Sequence, residues 1–249
     1  MISDNASTAM QAMVFAAGLG TRLKPLTDRM PKALVEVAGK PLLWHVLKRL
    51  EQAGASRVVV NVHHFAGQII SYLEEHSFAL DLHVSDESSL LLDTGGGLKK
   101  ASALFQTDRP VLIHNVDILS NVDLTGFYQK AEGKTALLVS SRPSSRQLLF
   151  DVDMRLVGWT NLLTGEVKSP YPDLDPDQCR RYAFSGIHAF SPTLFPYMQS
   201  WPDRFGIIDF YLSVCHQVEI KGVVKEDLRL MDVGKLDTLK AAEEFLHSL

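Results

Sequence analysis

Along the first 140 residues, short apolar runs alternate with amphipathic stretches. MVFAA (13–17) is apolar throughout and ends at Gly18, the pattern of a short strand buried on both faces. PLLWHVLKRLEQAG (41–54) repeats Leu42, Leu43, Val46, Leu47 and Leu50 at helical spacing, with Pro41 suited to a first turn and Gly54 to a C-terminal end. The β-branched run RVVVNVHH (57–64) predicts the next strand and GQIISYLEEH (67–76) a helix. LDLHVSD (80–86) alternates like a strand, and GGGLKKASALF (95–105) opens on glycines and becomes a helix. PVLIHNVD (110–117) reads as an apolar strand ending in Asp117, DLTGFYQKAEG (123–133) as a helix with Asp123 as its N-cap, and TALLVSS (135–141) as a strand.

This alternation of strand and helix with short links predicts an α/β fold: a mixed, mostly parallel Rossmann-like sheet with helices on both faces. Ligands in such sheets bind beyond the carboxyl ends of the strands. The loop after Ala17, the Gly95–Gly97 turn and Asp117 are therefore expected on one rim.

From about residue 142 the pattern changes. QLLFDVD and MRLVGWTN read as two strands joined by an acidic turn, and GEVKSPYPDLDPDQCR (165–180) as a loop or lid. YAFSGIHAF (182–190) predicts a strand containing Gly186, GIIDFYLSVCHQ (206–217) a helix, and VEIKGVVKE a strand. LRLMDVG predicts a short strand ending in Asp232, and KLDTLKAAEEFLHSL (235–249) an amphipathic helix. No linker splits off a second domain. Residues 11–249 are expected to form one domain, with 142–205 as an elaboration over the rim; residues 1–10 read as a disordered leader or cloning remnant.

Composition narrows the function classes. A chain of 249 residues that is 46% hydrophobic suits a single large α/β domain. A net charge of -4 provides no broad basic field, so nucleic acid is not an expected partner. Cys179 and Cys215 are too few for a disulfide framework and lack zinc spacing, which favours a reducing cytoplasm. No apolar run approaches the roughly 18 residues of a membrane span, and the first residues lack the organisation of a signal peptide. His63–His64 has no ligand-spaced partner and reads as structural, and Cys215 as core.

The segment AAGLGTRLKPLTDRMPK (16–32) is where chemistry is expected. Its glycines let backbone N–H groups approach a ligand, Arg22 is a fork-shaped cation suited to phosphate, and Lys32 is stiffened by Pro31. It is not a Walker loop, since no Gly-Lys-Ser/Thr follows. Nor is it a dinucleotide fingerprint, because Leu23 stands where a third glycine belongs. A dehydrogenase is disfavoured on that ground. The helix starts only at Pro41, and a long loop in a compact α/β domain is usually functional.

The run AAGLGTRLKPLTDRMPKALVEVAGKPLL resembles the signature of the sugar-1-phosphate nucleotidylyltransferases through Gly18, Gly20, Arg22, Pro25, Thr27, Pro31, Lys32, Gly39, Lys40 and Pro41. The similarity continues through DTGGGLKKA, HNVDIL and MDVG. The compact length and TGGG turn look most like the N-acetylmuramate-1-phosphate uridylyltransferase branch, with mannose-1-phosphate guanylyltransferase-like proteins as near relatives. The resemblance implies transfer of a nucleoside monophosphate from a nucleoside triphosphate to a sugar 1-phosphate, with release of pyrophosphate, in nucleotide-sugar biosynthesis for the cell wall. It implies Mg²⁺ held by Asp117 and Asp232, with Asp117, Arg22 and Lys32 as the catalytic group and the two cations on the phosphates. The backbone of Ala16, Ala17, Gly18, Leu19, Gly20 and Thr21 would line the nucleotide. Asp93, Thr94, Gly95 and Gly96 would receive the base on exposed N–H groups.

On the sugar side the resemblance implies Gly186, and Asn115 is placed to help hold the sugar or the waters of the metal. Glu166 and Lys168 match its Glu–Lys pair, although a solvated hairpin fits those two equally. Asp93 is shorter than the Gln or Glu that pyrimidine-binding relatives carry before this turn, so uracil, thymine and guanine all stay open. UTP with an N-acetylated amino sugar 1-phosphate is the favoured pair. GTP or dTTP with a hexose 1-phosphate, CTP with phosphocholine, and a catalytically silent nucleotide-sugar sensor are the alternatives. A monomer or small homo-oligomer, with no membrane partner, is expected.

Overall fold

The structure of the protein, a computed structural model, describes residues 10–249. The expected leader lies outside the described residues except for Met10, which already belongs to the first strand, β1 (Met10–Phe15). Three single 3-10 turns (Thr21–Leu23, Leu26–Asp28, Lys32–Leu34) fill the long loop, followed by a tight hairpin of β2 (Glu36–Val37) and β3 (Lys40–Pro41). Then come α1 (Leu42–Gln52), β4 (Ala55–Val62), α2 (Ala66–Glu75), β5 (Asp81–Asp86), α3 (Asp93–Ala101), β6 (Val111–Asn115), β7 (Ile118–Ser120), α4 (Leu124–Lys130) and β8 (Thr135–Ser140). The remainder forms β9 (Arg146–Phe150), β10 (Leu156–Asn161), β11 (Glu166–Lys168), β12 (Arg180–Phe190), α5 (Phe195–Met198), α6 (Ile207–Val214), β13 (Ile220–Val224), β14 (Leu230–Asp232) and α7 (Leu236–His247).

Strands β5, β4, β1 and β6 lie side by side and parallel. β12 enters antiparallel to β6 and bends across to pair with β8 and β9, while β13 adds parallel to β8. β9, β10 and β11 continue as an antiparallel meander, so the elaboration is an extension of the main sheet. β1 starts three residues before its apolar run because Gln11 can be buried: its amide donates to the carbonyls of Gln106 and Arg109 and accepts from the Gln106 N–H.

Period-two alternation sorts the buried residues into two layers. Ala12, Val14, Val58, Val60 and Leu112 face a layer closed by α1, α2, α4 and α7, with Leu43 and Leu47 of α1 at its centre. Met13, Phe15, Val59 and Ile113 face the opposite layer, closed by α3, α5 and α6. Full burial of a Leu or Phe side chain contributes about 1.5–3 kcal/mol, so both faces are heavily stabilised. Asp123 caps α4 by accepting from the Gly126 N–H at 3.0 Å. The 3-10 turn and short helix at 192–198 had no counterpart in the pattern; there Leu194 and Met198 pack into the second layer. Among the described residues no helix is long and apolar enough to cross a membrane, and both cysteines are free.

The second layer also buries His188, whose two ring nitrogens have no hydrogen-bond partner among the described residues and whose ring meets Tyr211 edge-on at 5.6 Å. Burial pushes this imidazole down to about 3 from its ordinary 6.5. Between those values the unfolded chain takes up a proton that the native ring refuses, so stability falls as pH falls through that window. The thermal midpoint should therefore drop between pH 7 and pH 4.5, and less steeply in His188→Phe. Equal slopes in the two proteins would show that His188 is not the source.

Candidate active site

A cleft of about 590 Å³ opens beyond the carboxyl ends of β1, β4 and β6. One wall is the chain from Ala16 to Thr21, running directly off β1. The Ala16 N–H donates to Asn61 Oδ1 at 2.8 Å, and Asn61 Nδ2 donates to Glu87 Oε1 at 2.7 Å. Glu87 is fully buried and also accepts from the Leu92 N–H at 3.3 Å. Burial raises its carboxyl, with the Asn61 amide acting against that shift. This relay anchors the start of the loop to the entry of α3. Neither Asn61 nor Glu87 was legible as a site residue, although a lone asparagine inside RVVVNV was the available signal.

The loop closes tightly at Gly20, whose φ of +62° is left-handed. A Cβ there would lie 2.8 Å from Thr27 Cγ2 and 3.0 Å from Lys32 Cβ. Thr27 Oγ1 donates to the Gly20 carbonyl at 2.8 Å, which folds the Lys32 stem beneath the loop. Lys32 is thus only 8% exposed, and its ammonium is ion-paired with Asp117. This burial goes beyond what the place of Lys32 after Pro31 in a long loop implied.

Asp117 and Asp232 are brought to one place by a two-stranded ladder. Asp232 of β14 stands opposite Ile118 of β7, and the Val233 N–H donates to the Asp117 carbonyl at 2.8 Å. Arg22 Nη2 lies 3.8 Å from Asp232 Oδ2. Each of the two cations therefore faces one of the two carboxylates across the cleft mouth. The carboxylates remain partly open to solvent, at 20% and 49%. Hard oxygen donors in this number suit a divalent cation that takes its other ligands from substrate and water. Among the described residues no group of three acids, histidines or cysteines could hold a metal ion by itself. Asn115 lines the same cleft.

At the opposite wall, Asp93 and Thr94 reach the cleft while Gly95 and Gly96 do not. Asp93 accepts from Arg204 Nε at 2.8 Å, and Thr94 Oγ1 accepts from the Ile207 N–H at 2.9 Å, which satisfies the start of α6. The N–H groups expected to be free for a base are occupied: Gly95 and Gly96 both donate to the Phe205 carbonyl. These glycines are required by packing, since a Cβ on Gly96 would sit 1.9 Å from the Asp203 carbonyl oxygen.

A second cavity, of about 650 Å³, lies over one face of β9, β10 and β11. Arg146, Asn161 and Glu166 form one rung across these strands, and Leu148, Trp159 and Lys168 the next. Asp232 lines this cavity while its partner Arg22 lines the first, so the Arg22–Asp232 pair marks their boundary. Lys168 donates to Asp209 Oδ1 at 3.1 Å, stands 4.0 Å from Glu166 and lies over the Trp159 ring. Gly186 lines neither cavity; it forms a bulge in β12 at φ +78° where a Cβ would meet Asn115 Nδ2 at 2.7 Å. The residues of this cavity that the sequence reading did not single out include Arg142, Arg146, Trp159, Asn161 and Asp209. Only Asp209 left a signal, as a carboxylate inside the apolar run GIIDF.

The chain is similar in sequence and in fold to known proteins. Residues 11–148 match the family model of the nucleotidyl transferases. The chain is 50% identical to the N-acetylmuramate alpha-1-phosphate uridylyltransferase of Caulobacter vibrioides over 93% of its own length and 95% of that protein. It is 31% identical to the mannose-1-phosphate guanylyltransferase catalytic subunit beta of Dictyostelium discoideum, over 53% of this chain and 38% of that one. The fold also matches a solved UDP-glucose pyrophosphorylase complexed with UDP-glucose, with TM-score 0.77 at 13% identity, covering 97% and 99% of the two chains.

Proposed function

Because this chain belongs to the nucleotidyl transferase family, whose members join a nucleoside monophosphate to a sugar 1-phosphate, we propose that its substrates are UTP and N-acetylmuramate 1-phosphate. The observation that carries the reading is the meeting of Arg22, Lys32, Asp117 and Asp232 at the boundary between two cavities. The first cavity would take the triphosphate and the second the sugar. Half identity along nearly the whole of a uridylyltransferase supports the choice of base and sugar.

In this reaction an oxygen of the sugar phosphate attacks the α-phosphorus, and pyrophosphate leaves with the electrons of the broken P–O bond. The attacking phosphate has a second pKa of about 6, so it is largely ionised at pH 7 and needs no general base. The chain's task is to hold two anions together and to stabilise the charge of the transition state. Lys32 is held in position by its buried stem and by Asp117, so its ammonium reaches the phosphates without a large loss of side-chain freedom. Arg22 offers a two-pronged donor to oxygens of the outer phosphates. The loop from Ala16 to Gly20 fixes the wall along which the nucleotide lies. A divalent metal, proposed to be Mg²⁺ and held by Asp117 and Asp232, would supply further charge neutralisation at the phosphates. We place the enzyme in the cytoplasm, in the supply of nucleotide sugar for the cell wall.

Pyrophosphate release with Mg²⁺, measured over five nucleoside triphosphates and a panel of sugar 1-phosphates with phosphocholine included, tests the proposal. UTP with N-acetylmuramate 1-phosphate should give the highest kcat/KM, and a chelator should abolish it. A productive pair of GTP or dTTP with a hexose 1-phosphate, or of CTP with phosphocholine, would replace the substrates. Nucleotide binding without turnover of any pair would favour a sensor.

A further inference from the structure

We infer that Arg146 recognises an acidic substituent on the acceptor, so that the second cavity selects a sugar 1-phosphate that also bears a carboxylate. The inference rests on the uridylyl-transfer reading above and deepens it.

The charges in the cavity lead to this assignment. Lys168 already has two carboxylate partners, Asp209 at 3.1 Å and Glu166 at 4.0 Å, which leave one negative charge over at that end of the cavity, and Asp232 already faces Arg22. Two cations are left, Arg142 and Arg146, and among the described residues neither has a carboxylate within ion-pairing distance. A neutral amino sugar 1-phosphate brings one anionic group. Two unpaired guanidinium groups in one cavity match a ligand with two.

The two arginines occupy different places. Arg142 is half-buried, donates from Nη2 to the Phe184 carbonyl at 2.9 Å, and has a buried Nε without an acceptor among the described residues. It also feels the charge of Asp232, which raises its pKa against the larger lowering by burial. Arg142 lines the cavity together with Asp232, whose pair with Arg22 marks the boundary with the nucleotide cleft, where the 1-phosphate must sit for its oxygen to reach the α-phosphorus. Arg146 is exposed, opens β9, and stands on the same rung as Asn161 and Glu166. Strands are about 4.8 Å apart, so Asn161 separates Arg146 from Glu166 by two strand spacings. The Arg146 fork is therefore free to accept a carboxylate with two parallel hydrogen bonds. N-Acetylmuramate differs from N-acetylglucosamine by an ether-linked lactyl carboxylate, which is an anion of this kind.

Steady-state kinetics with UTP and Mg²⁺ on N-acetylmuramate 1-phosphate and N-acetylglucosamine 1-phosphate tests the assignment. The unmodified enzyme should favour the carboxylated acceptor by about tenfold or more in kcat/KM, the scale of a charge-assisted hydrogen bond. Arg146→Gln should lower that preference about tenfold, through the KM of the carboxylated acceptor with little change in kcat. Arg142→Gln should raise KM for both acceptors alike. An unchanged preference in Arg146→Gln, or an equal loss on both acceptors at an unchanged thermal midpoint, would overturn the inference. So would an unmodified enzyme indifferent to the lactyl group, although uridylyl transfer itself would stand. Turnover of neither acceptor with UTP, beside turnover of another pair, would overturn the underlying reading and this inference with it.

Discussion

Asp117→Asn should lower turnover by on the order of 10² or more, the scale of removing one preorganised electrostatic group. The substitution keeps the shape of the side chain, and the Asn oxygen can still accept from Lys32. Asp117 also shares a backbone hydrogen bond with Val233 that does not depend on its side chain. The ladder between β7 and β14 should therefore survive, and the thermal midpoint should fall by only a few degrees, about 2–4 °C for each kcal/mol in a chain of this size. A metal titration should show weaker activation, because one of two carboxylates has been neutralised. Near-normal turnover in this variant would refute the role given to Asp117.

Lys32→Ala should lose turnover on a comparable scale, about 10²–10³, and should lose stability as well. The side chain is 8% exposed, its stem packs under Gly20, and its charge compensates Asp117. Its deletion leaves a void and a partly buried carboxylate without its partner, both recognised sources of destabilisation. Lys32→Met separates the two effects, since it retains the stem and removes the charge. We expect Lys32→Met to recover most of the thermal midpoint and little of the turnover. Should Lys32→Met turn over like the unmodified enzyme, the ammonium would have no part in the reaction and Lys32 would be a packing residue.

Much of the fold was legible because periodicity is a local property. The spacing of Leu42, Leu43, Val46, Leu47 and Leu50 defines the buried face of α1 whatever lies opposite, and all five are buried. The apolar runs around Met13, Val59 and Ile113 announced strands covered on both sides, and each contributes to both core layers. Asp117 and Asp232 could be placed at strand ends for the same reason, since each follows a short apolar run. The long loop after Ala17 stood out because glycines, prolines and cations delayed the first helix.

What the chain could not announce was pairing and depth. An apolar run such as YAFSGIHAF reads the same whether it enters a sheet parallel or antiparallel; the bend of β12 across β6, β8 and β9 depends on partners far away in the sequence. The glycines at 95–97 looked like a cradle for a ring, yet Phe205 and Asp203, over a hundred positions on, fill that space, and the Phe205 carbonyl accepts from the N–H groups of Gly95 and Gly96. Lys32 looked like a loop cation until Thr27 and Gly20 folded over it. Arg142 and Arg146 were two cations among many until the β9–β11 meander put them in one cavity with Lys168 already paired. Alternation and spacing determine which residues turn inward, because each residue's environment follows from its own neighbours. Which charges meet, and which are left without a partner, is decided only when distant strands come into register.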